Sequence, residues 1–327
     1  MKRPRNLTGI FAGLGMLVLI FDSGLAVEGA QKGVELCIRT VIPSLFPFIL
    51  LSMLLTREVS GRSRWLLSIS ELLGVPQSAK SLLIPAFLGG YPVGAKCIHD
   101  LYRNGQLRKQ QAEGLLSFCS NAGPAFLFGM LSRFFPDRKT LWLLWLIHIL
   151  SAVLTGFLFS TGAISANAPV RTSEISDKPD VLVSALKSMG LICGWVILFR
   201  MLVTFLQQWF LWMLPPWLAV FLTGILELTN GCCELMQIED IGVRFVICSC
   251  MLSFGSICVL LQTASVTKGL SLRYYLQGKG MQTLFSMLLS CAVVWKYGWA
   301  LTAVIPMLLL FIRKRQKSSG NPSIVPV

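Results

Sequence analysis

The chain is poor in charge. Only 13% of its 327 residues are Asp, Glu, Lys or Arg, where a soluble domain carries about 25%. Apolar runs of bilayer length recur from end to end, so a soluble protein with one large core is excluded. Acidic residues are scarcer than basic ones, 15 against 29, which leaves a net charge of +14. The basic residues lie in loops and at both ends. They form no aromatic-interleaved stripe, which argues against nucleic-acid binding; they read instead as topology-setting charges that meet anionic lipid. Histidine is nearly missing, with His99 and His148 alone. The ten cysteines contain no CxxC pair. A zinc site is not expected, and the cysteines read as small buried hydrophobes. No nucleophile, base and orienting group are set out together, so no enzyme is expected and no cofactor is implied.

What is present is 54% hydrophobic sequence in pieces that are repeatedly interrupted. The fold class expected is an all-α polytopic membrane protein. It has two pseudo-symmetric halves, each with interrupted or re-entrant helices, as in transporters. Residues 1–162 form the first half and residues 163–180 a polar extracytoplasmic linker. Residues 181–312 form the second half, and 313–327 a basic cytoplasmic tail. Lys2-Arg3-Pro4-Arg5 precedes an apolar run from Leu7 to Phe21. This reads as a retained first helix with a cytoplasmic N-terminus rather than a cleaved leader. From Val27 to Thr40 the pattern is amphipathic, and Glu28 with Lys32 and Glu35 with Arg39 are favourable i,i+4 pairs. Pro43 and Pro47 predict a kink or break after it.

The organising stretch is Gly89-Gly90-Tyr91-Pro92-Val93-Gly94-Ala95-Lys96, a break after an apolar run too short to span. A helix over 109–119 breaks at Ser120-Asn121-Ala122-Gly123-Pro124 and resumes at Ala125, the shape of a re-entrant hairpin. Residues 141–161 read as a clean span holding His148, which is expected to be packed or hydrogen-bonded rather than a proton relay. In the second half, breaks fall at residues 227–234 and 252–256. Lys268, Arg273 and Lys279 read as a basic loop, and Leu284 to Ile312 as an apolar segment with a turn at Lys296-Tyr297-Gly298.

Broken helices expose unpaired N–H groups and positive dipole ends to an anion, and unwound carbonyls to a cation. The candidate substrate- and ion-binding residues are Gly90, Tyr91, Gly94, Lys96, Asn121 and Gly123 in the first half. Glu227, Thr229, Asn230, Ser253, Gly255 and Gln262 are those of the second. Lys96 reads equally as a cationic contact or a snorkelling side chain. Na+ and H+ both remain open as coupling ion. The expected partners are the bilayer and a small polar or anionic solute; a homo-oligomer is left open.

Several of these stretches resemble the sporulation integral membrane protein family of the YlbJ type. They are Pro-Ser-Leu-Phe-Pro-Phe at 43–48, Gly-Gly-Tyr-Pro-Val-Gly-Ala-Lys at 89–96 and Leu-Leu-Ser-Phe-Cys-Ser-Asn-Ala-Gly-Pro at 115–124. Glu-Leu-Thr-Asn-Gly at 227–231 and Ser-Phe-Gly-Ser with Gln262 complete the series. The resemblance covers nearly the whole chain in order. Gly89 stands where the family usually has Ser, and Ser120 where it usually has Asn. The resemblance implies nucleoside-recognition Gate domains arranged as inverted repeats, and a role in endospore formation. The function expected is transport of a small polar or anionic solute, nucleoside-like or a dicarboxylate such as dipicolinate. The alternative is a non-transporting membrane scaffold or signalling factor for spore envelope (cortex) assembly.

Overall fold

A computed structural model describes residues 5–58, 70–71, 73–135, 137–159 and 180–296. The described residues contain helices and turns and no strand. The linker at 163–180, apart from Asp180, and the tail at 313–327 lie outside them.

The first apolar run forms α1 (Arg5–Phe21). Asp22 caps the next helix, α2 (Ser23–Leu36), its Oδ1 accepting the Leu25 N–H at 3.2 Å. Of the kink or break expected at the two prolines, no break occurs. A π-helical turn (Cys37–Val41) carries α2 into α3 (Ile42–Glu58), and Ser23–Leu54 is one helical run long and apolar enough to cross a membrane. Pro43 lies two residues past the π turn, and the Ser44 hydroxyl donates to the Thr40 carbonyl at 2.6 Å. The extra residue and that hydroxyl accommodate the prolines inside a continuous helix.

α2 lies against α8 (Val181–Trp209) through Gly29 and Gly33. A Cβ at Gly29 would stand 2.8 Å from Met201 Cα, and one at Gly33 would stand 2.8 Å from Ile197 Cα. This is a small-xxx-small seam, which lets two membrane helices meet at backbone distance.

Between these come α4 (Leu83–Leu88), α5 (Val93–Arg103), α6 (Lys109–Leu115), a π-helical turn (Ala125–Met130) and α7 (Arg138–Phe159). After α8 follow α9 (Pro216–Leu226), α10 (Leu228–Cys233), α11 (Ile241–Phe254), α12 (Ile257–Val266) and α13 (Arg273–Val294). Two series share one order of helix, break, helix, connector, helix, break, helix: α4 to Met130, and α9 to α12. Arg138–Phe159, Val181–Trp209 and Ile241–Val266 are also long and apolar enough to span. Their exposed faces carry Leu146, Leu150, Leu186 and Leu202, as lipid contact requires.

Three boundaries differ from the sequence reading. α6 stops at Leu115 rather than Cys119, where the Ser117 hydroxyl turns back to the Gly114 carbonyl at 2.7 Å. The break expected over 227–234 narrows to Glu227, because Gly231 continues α10 and packs on the backbone of Gly224. Lys279 is not in a basic loop. It sits in the second turn of α13 and is 1% exposed.

Candidate functional site

Four interruptions converge. Gly90 and Tyr91 come from the first and Ala122 and Gly123 from the second; Glu227 and Thr229 come from the third, and Val259 and Gln262 from the helix that follows the fourth. Together they line a cavity of about 40 Å³, closed from the side by Val41 and Leu45 of the long helix and by Ile192 and Val196 of α8. That is space for about one or two waters.

Each interruption has a local cause. Gly90 has φ +76°, a conformation that favours glycine. A Cβ at Gly123 would meet Gly90 N and the Leu88 carbonyl at 3.0 Å, so the two loops touch backbone to backbone. Glu227 is extended at φ −145°, ψ 119°, and its Oε2 accepts the Asn230 N–H at 2.7 Å, capping α10. The side chain is 2% exposed. Gly255, at φ +90°, ends α11 against the ring of Tyr91, and Ser256 caps α12 by accepting the Val259 N–H.

A polar network ties the breaks together on the far side of Tyr91. The Tyr91 hydroxyl donates to the Leu252 carbonyl at 3.1 Å. Lys279 Nζ donates to that same hydroxyl at 3.1 Å, to Gln282 Oε1 at 2.8 Å and to the Ser120 carbonyl. Gln282 in turn donates from Nε2 to Asn121 Oδ1 at 3.0 Å, and Asn121 donates to the Ala86 and Phe118 carbonyls. His148, fully buried, accepts the Ala122 N–H at Nε2, 3.1 Å away. A neutral imidazole so engaged carries its proton on Nδ1, which faces Ser253 Oγ at 3.3 Å. The break at Ala122 and the end of α11 are thereby joined through one ring.

On neighbouring turns of the same walls lies a wider cleft of about 420 Å³, lined by Lys32, Glu35, Leu36, Arg39, Thr40, Arg133, Arg200, Asn230 and Cys233. Four cations and one carboxylate line it, and three of the cations are ion-paired, Lys32 with Glu28 at 2.5 Å. Arg39 pairs with Glu35 at 3.1 Å, and Arg200 pairs with Glu234 at 3.6 Å while donating to Asn230 Oδ1 at 3.2 Å. The Asn230 amide nitrogen is buried with no acceptor. Among the described residues no group of His, Cys, Asp or Glu is arranged to hold a metal.

Of the residues singled out from the sequence, Gly90, Tyr91, Gly123, Glu227, Thr229 and Gln262 line the cavity. Gly255 backs Tyr91, and Asn121 and Ser253 belong to the network behind it. Three lie elsewhere. Gly94 allows α5 to approach the Cys119 carbonyl and Ala86. Lys96 reaches Ser188 at 3.3 Å in a separate cleft with Lys187 and Leu191. Asn230 turns its side chain to Arg200 and the basic cleft. Lys279, Gln282 and Arg200 were not foreseen as site residues. The signal for the first two was the spacing of Tyr275, Lys279, Gln282 and Ser286, which sets them on one face of α13.

No protein-family profile matches the chain. No solved structure matches it either. Among curated proteins it is similar to the sporulation integral membrane protein YlbJ of Bacillus subtilis (strain 168). The identity is 24% over 295 residues, covering 76% of this chain and 72% of that protein. An all-α polytopic membrane protein that aligns with YlbJ over most of its length, the chain is similar to the YlbJ-type sporulation integral membrane proteins.

Proposed function

We propose that this chain is a membrane carrier for a small anionic solute, acting in endospore formation. The sporulation setting follows the name of the YlbJ relative. The observation that carries the transport reading is the stacking of two spaces on shared walls. A cleft lined by four cations sits beside a small cavity made of helix interruptions. In secondary transporters, broken helices at the interface of two repeats form the substrate site. The shared order of breaks supports the same two-half, inverted-repeat arrangement here. The cavity is too small for a solute, so entry must separate the contact between the Gly90 and Gly123 loops. The cations of the cleft favour a carboxylate such as dipicolinate over an uncharged nucleoside.

The test is uptake into liposomes containing the purified protein, with labelled dipicolinate and labelled uridine offered in parallel. Dipicolinate should accumulate, and Arg200→Gln should reduce its uptake by about tenfold, the loss of one strong charge contact. If neither solute moves while Arg200→Gln and Glu227→Gln still support sporulation, the carrier reading fails and a membrane scaffold takes its place.

A further inference from the structure

The geometry points to Lys279 as a resident cation: we infer that its ammonium fills the position a sodium ion would take between the helix interruptions, so that the protein needs no sodium. The argument begins with the three atoms facing Nζ. The Ser120 carbonyl can only accept. Gln282 has committed its amide N–H to Asn121, so the oxygen that remains toward Lys279 also accepts. Tyr91 has committed its proton to the Leu252 carbonyl, which leaves its oxygen accepting as well. Three acceptors demand three N–H donors, and only the charged ammonium supplies them. A neutral amine would set its lone pair against one of these oxygens.

An unwound carbonyl, a side-chain amide oxygen and a hydroxyl form the kind of oxygen set that holds a hard monovalent cation at a helix break. Ser120 lies in the second break, Tyr91 in the first, and Leu252 just ahead of the fourth. The ammonium thus contacts both interruptions of the first series directly, and reaches the end of α11 in the second through the Tyr91 hydroxyl. The rings of Tyr91 and Tyr275 flank it, with centroids 4.9 and 5.9 Å from Nζ, as cation–π contact requires. No carboxylate pairs with it among the described residues. The oxygens and rings therefore carry the whole stabilisation of the charge. A Cβ added at Gly278 would strike the Ser117 backbone, so α13 is pressed onto the second break.

The inference rests on the carrier reading only for its consequence in transport; the cation position itself is tested without transport. The thermal unfolding midpoint of the purified full chain is measured in detergent, with sodium chloride replaced stepwise by choline chloride. The wild type should show the same midpoint throughout. Lys279→Ala empties the position and leaves the three oxygens unpaired. Its midpoint should rise by about 3 °C or more between zero and about 100 mM sodium, the response of a protein that binds the ion only when folded. Lys279→Met fills the space without charge and should not respond. A sodium-dependent wild type, or an Ala variant indifferent to sodium, overturns the inference. If the Ala variant cannot be purified in choline, extraction in sodium decides: folded protein in sodium alone supports the inference, and none in either salt overturns it. Uptake in sodium-free medium is then a separate reading. Absence of all uptake counts against the carrier, whereas uptake that stops only when sodium is removed counts against the resident cation.

Discussion

His148 and Ser253 are hydrogen-bonded at 3.3 Å across 105 residues of sequence. The same ring accepts the Ala122 N–H, so one side chain spans from the second interruption to the end of α11. His148→Ala should leave a backbone donor and a buried hydroxyl without partners and cost about 2–4 kcal/mol, against about 1 kcal/mol for Ser253→Ala, which removes one end of one bond. The check is thermal unfolding of both variants and of the double variant. A double variant no worse than His148→Ala is expected, since the serine has little left to lose.

The seam between α2 and α8 gives a sharper steric expectation. Gly33→Ala puts a methyl 2.8 Å from Ile197 Cα, where only movement of a helix can make room. A loss of about 1–3 kcal/mol is expected. Gly190→Ala, on the same α8 and with nothing within 4 Å, should be neutral or slightly stabilising. Equal effects at the two positions would mean that the seam is not close-packed.

Glu227 has two separable jobs. As a cap it accepts the Asn230 N–H, which Gln can also do through its amide oxygen. As a buried carboxyl it supplies an ionisable group beside the cavity, which Gln cannot. Glu227→Gln should therefore fold with nearly the wild-type midpoint yet lose about tenfold or more in uptake. Glu227→Ala should lose uptake and about 0.5–2 kcal/mol of stability as well. A Gln variant that transports normally would confine the residue to capping.

Gly123→Ala tests the loop contact that any entering solute must part. Its methyl would face Gly90 N and the Leu88 carbonyl at 3.0 Å. The expected result is a modest fall in stability of about 1 kcal/mol with a larger change in uptake rate. A change in stability alone would make this contact structural only.

The breaks were legible because glycine, proline and a lone carboxylate stand out in apolar sequence. Gly89 to Pro92, Gly123-Pro124, Glu227 and Gly255 all fall where helices end. Lys279 was not legible, because a lysine beyond Lys268 and Arg273 looks like one more loop charge. Only the stride shared with Tyr275, Gln282 and Ser286 separates a polar helix face from a basic loop. Lys96 misled in the opposite direction. It ends the most distinctive motif in the chain, but α5 carries it past the cavity to Ser188. The prolines at 43 and 47 misled because a π turn is invisible to propensity: it depends on which face must stay buried, and that is decided by α8.

That π turn sets the rotational phase of the whole long helix. Gly29, Gly33, Cys37, Val41 and Ile49 are buried along it at steps of four or eight residues, a stride that an ideal α-helix of 3.6 residues per turn would carry steadily around its axis. One wider turn in the middle takes up the drift. The glycine seam above it and the cavity wall below it then face the same neighbour. Inserting one further residue between 37 and 41 would turn everything after it by about 100° and swing Val41 and Leu45 off the cavity, with no side chain in the site altered.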